Sequence, residues 1–176
     1  MRADLRRYSK SQGGYTLVEL IVASAIGVLV MTGLTSVVLT SWRAGTVATN
    51  RVEASSQVRS FEFYANDDFT LSGPPVITGC APPGRRVGCT ITLSGLKVTD
   101  LNTAPIPYSV TYTWDGTKVN RQVAGYSSNY AAIDVTAFSA VVLGAQPYQT
   151  VVVTMTLTVQ AYSETQTLRF YPRVNP

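Results

Sequence analysis

Gly13-Gly14-Tyr15-Thr16-Leu17-Val18-Glu19-Leu20-Ile21-Val22-Ala23 opens an apolar tract that decides how the rest of the chain is read. After Glu19 no charge appears until Arg43, so 23 residues run uncharged from Leu20 to Trp42. As a helix rising about 1.5 Å per residue, that tract reaches about 35 Å. A bilayer's hydrocarbon core is about 30 Å thick, so the tract is long enough to cross it. Arg2, Arg6, Arg7 and Lys10 precede the tract with only Asp4 against them, which places the amino terminus in the cytoplasm and sends the rest across.

Glu19 stands where the apolar run has already begun. Eleven Leu, Ile and Val residues lie between Leu20 and Leu39. At about −0.3 to −0.6 kcal/mol each they outweigh the roughly +3 kcal/mol of a central acid, so insertion survives it. A local role is available, because Thr16-Leu17-Val18-Glu19 fits the Ser/Thr-x-x-Glu capping box and an acid in the first turn opposes the positive end of the helix dipole.

A basic leader, Gly14-Tyr15-Thr16-Leu17-Val18-Glu19 and a long apolar helix together resemble the class III signal of type IV prepilins. The resemblance implies cleavage by prepilin peptidase between Gly14 and Tyr15, methylation of the new amino terminus at Tyr15, and an assembly role for Glu19. A carboxylate buried in a filament needs a partner, and the terminal ammonium of a neighbouring subunit would supply one. Gly14, without a Cβ, also leaves the backbone open to a protease. Tyr15 departs from the phenylalanine usual just after the cut while keeping an aromatic ring. Many major pilins have a proline where Ser36 and Val37 stand.

A secretory signal peptide is the rival, with Ala23-Ser24-Ala25 as a cleavage look-alike. Its apolar region is only about 7–15 residues long and ends at the cut, whereas this tract continues to Leu39. Gly27, Gly33, Thr32, Thr35, Ser36 and Thr40 suit close packing between membrane helices.

At 176 residues the chain has room for an anchor and one head. The expected divisions are a leader over 1–14, a transmembrane and filament-core helix over 15–42, the amphipathic half of the same helix over 43–70, and an antiparallel β head over 71–176. The net charge of +4 belongs mostly to the leader: ten basic and nine acidic residues leave +1 for the remainder. Cys80 and Cys89, with Pro82-Pro83-Gly84 between them, suit a disulfide-closed loop in an oxidising compartment. The chain has no histidine. No Ser/His or Cys/His pair is therefore available, and no P-loop or dinucleotide fingerprint appears, so no catalytic residue, metal or cofactor is expected.

From Arg43 the pattern turns amphipathic, with Val47, Ala54, Val58 and Phe61 as the packing stripe and Asp67-Asp68 as a solvated helix end. Ser72-Gly73-Pro74-Pro75 stops the helix, and the chain reads as loop to about Cys89. Strands follow at Thr90–Leu93, Tyr108–Trp114, Lys118–Val123 after an Asp115-Gly116 turn, Ile133–Leu143, Val151–Val159, and around Leu168 and Phe170 after a Ser163-Glu164 turn. Tyr108, Tyr112 and Trp114 read as sheet packing. The fold class is therefore α+β: a long amino-terminal helix on an antiparallel meander, the pilin-like architecture.

The order of motifs from Tyr112 to Phe170 also resembles the J-type pseudopilins of type II secretion and the W-type minor pilins. The resemblance implies a structural, non-enzymatic subunit near a filament tip. Its partners would be prepilin peptidase, other pilin subunits through the amino-terminal helix, and the cytoplasmic membrane before assembly, with a final place on the cell surface or in the periplasm. The alternative class is a membrane-anchored binding module whose exposed sheet or Arg85-Arg86 loop grips nucleic acid, a surface or a glycan.

Overall fold

The computed structural model describes residues 14–80, 88–97, 104–145 and 149–173. The chain divides into two units, Met1–Gly45 and Thr46–Pro176. A single helix, α1 (Leu17–Leu71), belongs to both. Eight strands follow among the described residues: β1 (Val76–Thr78), β2 (Thr90–Lys97), β3 (Ile106–Trp114), β4 (Val119–Val123), β5 (Asn129–Ala132), β6 (Val135–Leu143), β7 (Thr150–Val159) and β8 (Tyr162–Phe170). One helix and antiparallel sheets make this the pilin-like α+β fold.

The expected single meander is two. Strands β1 to β5 form one sheet in sequential order and β6 to β8 another. The break falls at Asp134, whose φ of 59° no extended strand accepts. Its carbonyl accepts from Thr158 N–H at 2.9 Å, while Val135 N–H donates to the carbonyl of Thr117 at 2.8 Å. The strand expected from Ile133 therefore starts two residues later, in the second sheet.

Both sheets bury their inner faces under the second half of α1. Ala54, Val58, Phe61, Ala65 and Phe69 are buried on the helix, against Ile91, Leu93, Val110, Tyr112 and Trp114 on the first sheet and Val151, Val153, Met155 and Leu157 on the second. Phe61 joins the two: its ring lies edge-on to Tyr112 of β3, Phe138 of β6 and Phe170 of β8, at centroid distances of 5.5, 5.8 and 6.2 Å. Trp114 Nε1–H adds a second tie, donating to the Val135 carbonyl at 3.0 Å. Val47, expected in this stripe, is 56% exposed. Buried Asn50 occupies the turn above Ala54 instead, its amide donating to Gln160 Oε1 at 3.3 Å.

The loop expected after Pro75 holds β1, a three-residue strand too short to show alternation, which exists because β2 offers it an edge. β5 was likewise illegible, since Asn129 and Tyr130 give no apolar period. The last hairpin turns at Gln160-Ala161, with Val159 opposite Tyr162. Ser163 and Glu164, expected at the turn, stand inside β8, where polarity marks facing and not chain reversal. The Asp115-Gly116 turn forms as read. Asp115 Oδ1 accepts from the N–H groups of Thr117 and Lys118 at 2.9 and 2.7 Å, and Gly116 takes a φ of 108°. Those bonds to Thr117 and Lys118 hold the Asp115 carboxyl below its ordinary range.

Candidate functional site

The amino-terminal segment is built by its own local bonds. Thr16 caps α1: its Oγ1 accepts from Glu19 N–H at 3.3 Å, and its carbonyl accepts from Leu20 N–H at 3.2 Å. The first bond satisfies a donor that a helix start leaves orphaned, and the second is the first bond of the helix itself. Gly14 and Tyr15 precede the helix, with open space around Gly14 and Tyr15 84% exposed.

Further along, the hydroxyls of Ser24, Thr32, Thr35 and Thr40 each donate at 2.8 Å to a carbonyl three or four residues back, those of Ile21, Val28, Met31 and Ser36. A lipid-facing helix needs this economy, because hydrocarbon offers a hydroxyl no partner. The helix is long and apolar enough to cross a membrane, and none of its apolar window is buried within the chain. Leu17, Val18, Leu20, Ile21, Ile26 and Leu29 are all more than half exposed. A continuous apolar surface of this extent marks an association surface. The Glu19 carboxylate sits at its start, with no partner among the described residues.

The other carboxylate of interest is Asp68, and here the expectation of a solvated helix end is overturned. Asp68 is 1% exposed. Arg121 of β4 clamps it with two parallel bonds, Nε–H to Oδ2 and Nη2–H to Oδ1, both 2.7 Å. Tyr108 donates its hydroxyl to Oδ1 at 2.5 Å and Tyr112 donates to Oδ2. The Arg121 guanidinium also lies 5.1 Å from the centre of the Tyr64 ring.

Burial and the adjacent Asp68 charge push the Tyr108 hydroxyl up to about 12 and raise Tyr112 further still. The Asp68 bonds raise Arg121 above its ordinary value. All these shifts keep the tyrosines neutral and the arginine charged. Tyr108 and Tyr112 are thus sheet-packing rings, as read, whose hydroxyls carry a polar lock. The signal was present: Asp68 follows Ala54, Val58, Phe61 and Ala65 at spacings of four, three, four and three, on the buried face.

Cys80 and Cys89 are joined by a disulfide. Gly79 makes the loop's start close-fitting, with φ 71° and a Cβ position 2.7 Å from the Gly88 carbonyl oxygen. Arg85 and Arg86 lie outside the described residues. Among the described residues no group of three or more His, Cys, Asp or Glu side chains could hold a metal.

Residues 9–35 match a family model, the prokaryotic N-terminal methylation motif. The chain carries a type IV pilin-like class III signal. The match takes in the capped helix start and the first part of the apolar tract, whose local geometry is set out above, together with residues 9–13, which lie outside the described residues. No curated protein and no solved structure matches the chain.

Proposed function

We propose that this chain is a minor pilin, a structural, non-enzymatic subunit of a type IV pilus, held in the cytoplasmic membrane until it is drawn into the filament. Prepilin peptidase removes residues 1–14 by cutting between Gly14 and Tyr15, and the amino group of Tyr15 is then methylated. Residues 15–42 cross the membrane and later form filament core, residues 43–70 continue the helix into the head, and residues 71–176 form the head. The observation that carries this reading is Glu19, a carboxylate without a partner among the described residues, at the start of an apolar helix that no described residue buries. A second subunit's terminal ammonium answers the charge, and sister helices cover the surface.

Intact mass of the protein from cells with and without prepilin peptidase tests the proposal. The processed chain should begin at Tyr15 and carry one added methyl group, whereas a chain that keeps Met1 in the presence of the peptidase refutes the reading. Glu19→Val should insert normally and be missing from sheared filaments. Wild-type incorporation of that variant would assign Glu19 to the helix start alone.

A further inference from the structure

Away from the amino-terminal segment, the head holds a cleft of about 670 Å³ between the start of β3, the end of β2 and the turn after β4. Ligand clefts commonly measure about 300–1,000 Å³. Lys97, Tyr108, Arg121, Tyr126, Ser127 and Asn129 supply its polar and aromatic wall, and no acid lines it among the described residues.

The wall is held in place before any ligand arrives. Arg121 and Tyr108 are fixed on the Asp68 carboxylate. The turn bearing Tyr126 is tied by Gln122, whose Nε2–H donates to the carbonyls of Tyr126 and Val123 at 2.6 and 3.2 Å. Tyr126 N–H donates to the Val123 carbonyl at 3.1 Å and Ala124 N–H to Ser109 at 2.9 Å, with Gly125 at φ 83° making the bend. Side chains ordered in advance lose little freedom on binding.

Three groups are left over for a ligand. The Arg121 Nη1 donors have no partner among the described residues, since Nε and Nη2 serve Asp68 and the Tyr108 hydroxyl. Lys97 is paired with no carboxylate among them. The Tyr126 ring is 75% exposed beside the cleft. Because Asp68 offsets the charge of Arg121, the described residues of the cleft offer about one net positive charge together with directed donors, acceptors on Asn129 and Ser127, and a flat apolar ring. One carboxylate on a polyhydroxylated ring answers that set. A nucleic-acid backbone needs several uncompensated cations.

We propose that this cleft binds one uronic acid unit of an acidic polysaccharide, the sugar ring resting on Tyr126 and its carboxylate received by Lys97 and the open edge of Arg121. The test is calorimetric titration of the full-length protein, in a detergent without a sugar headgroup, with tetragalacturonate and with a neutral galactose tetramer of equal length. Saturable binding of the acidic oligomer is expected, weakening as salt is raised. Tyr126→Ala should weaken it about two- to tenfold through the lost ring contact. Lys97→Gln should weaken it about two- to fivefold and flatten the salt dependence. Both side chains are exposed, so thermal melting of the head should not move, and near-ultraviolet dichroism would detect a misfolded variant. No saturable binding, equal binding of the neutral oligomer, affinity unchanged in both variants, or tighter binding of an acidic peptide or duplex DNA would each overturn the proposal.

Discussion

Glu19 and Asp68 are carboxylates on one helix, and their surroundings are opposites. Asp68 is buried in the head and takes two bonds from Arg121 and one from each of two tyrosines. Glu19 stands at the start of an apolar stretch with none of its window buried, and among the described residues its backbone N–H, not its carboxylate, is the group engaged. The same contrast runs through the residues around them. The second half of α1 buries the stripe from Ala54 to Phe69 under two sheets, while the apolar window of the first half is covered by none of the described residues. A helix that is apolar all round is stable only in lipid or among other apolar surfaces. The chain therefore completes one end of its helix by itself and leaves the other to be completed from outside.

Removing the buried acid should have the largest effect. Asp68→Ala leaves Arg121 charged and uncompensated under the helix and should lower head stability by about 3–5 kcal/mol, read as a drop in the thermal melting temperature. Asp68→Leu combined with Arg121→Met should recover part of that loss, because a buried ion pair gives register more than net energy. A melt unchanged in Asp68→Ala would place the acid in solvent and erase the contrast.

A smaller effect should come from alkali. The hydroxyls of Tyr108 and Tyr112 ionise near pH 10 in the unfolded chain, and Tyr108 only at about 12 in the fold, with Tyr112 higher. Groups whose native value is raised stabilise the fold in full below the unfolded value, so stability should fall as pH climbs from about 10 through 12. Ultraviolet titration of phenolate should show these two tyrosines ionising together with loss of the head's near-ultraviolet dichroism. Ionisation of every tyrosine near pH 10 with the fold intact would remove the lock.

The smallest effect on the head belongs to Glu19→Val. Its melting temperature should match that of the parent within error, whereas Thr16→Ala should fray the first turn of α1 at about 0.5–2 kcal/mol, measured by amide exchange there. A destabilised head in Glu19→Val would show that the acid already has an intramolecular role.

Much of this was legible in the residues. An uncharged tract is read from composition, because lipid selects for apolar content along a continuous segment, and the Gly14 to Glu19 signature with its capping threonine is local in the chain. Alternation made β3 and β7 visible for the same reason, since a half-buried strand writes its burial at period two. Short β1 and β5 were hidden because their pairing is supplied by β2 and β4. The division into two sheets turns on the left-handed backbone of Asp134, which an aspartate accepts without announcing it.

Asp68 shows most plainly what residue type alone withholds. A charged residue at a helix end is ordinarily solvated, and its burial requires four groups from three elements to converge, with Tyr112 and Arg121 set opposite each other by strand register. The membrane-length helix, its capped start and the methylation motif were determined by sequence, because each depends on residues adjacent along the chain. The buried carboxylate, the paired sheets that Phe61 joins and the cleft beside Tyr126 were decided only by tertiary structure, because contacts between distant residues exist only once the sheets have closed over the helix.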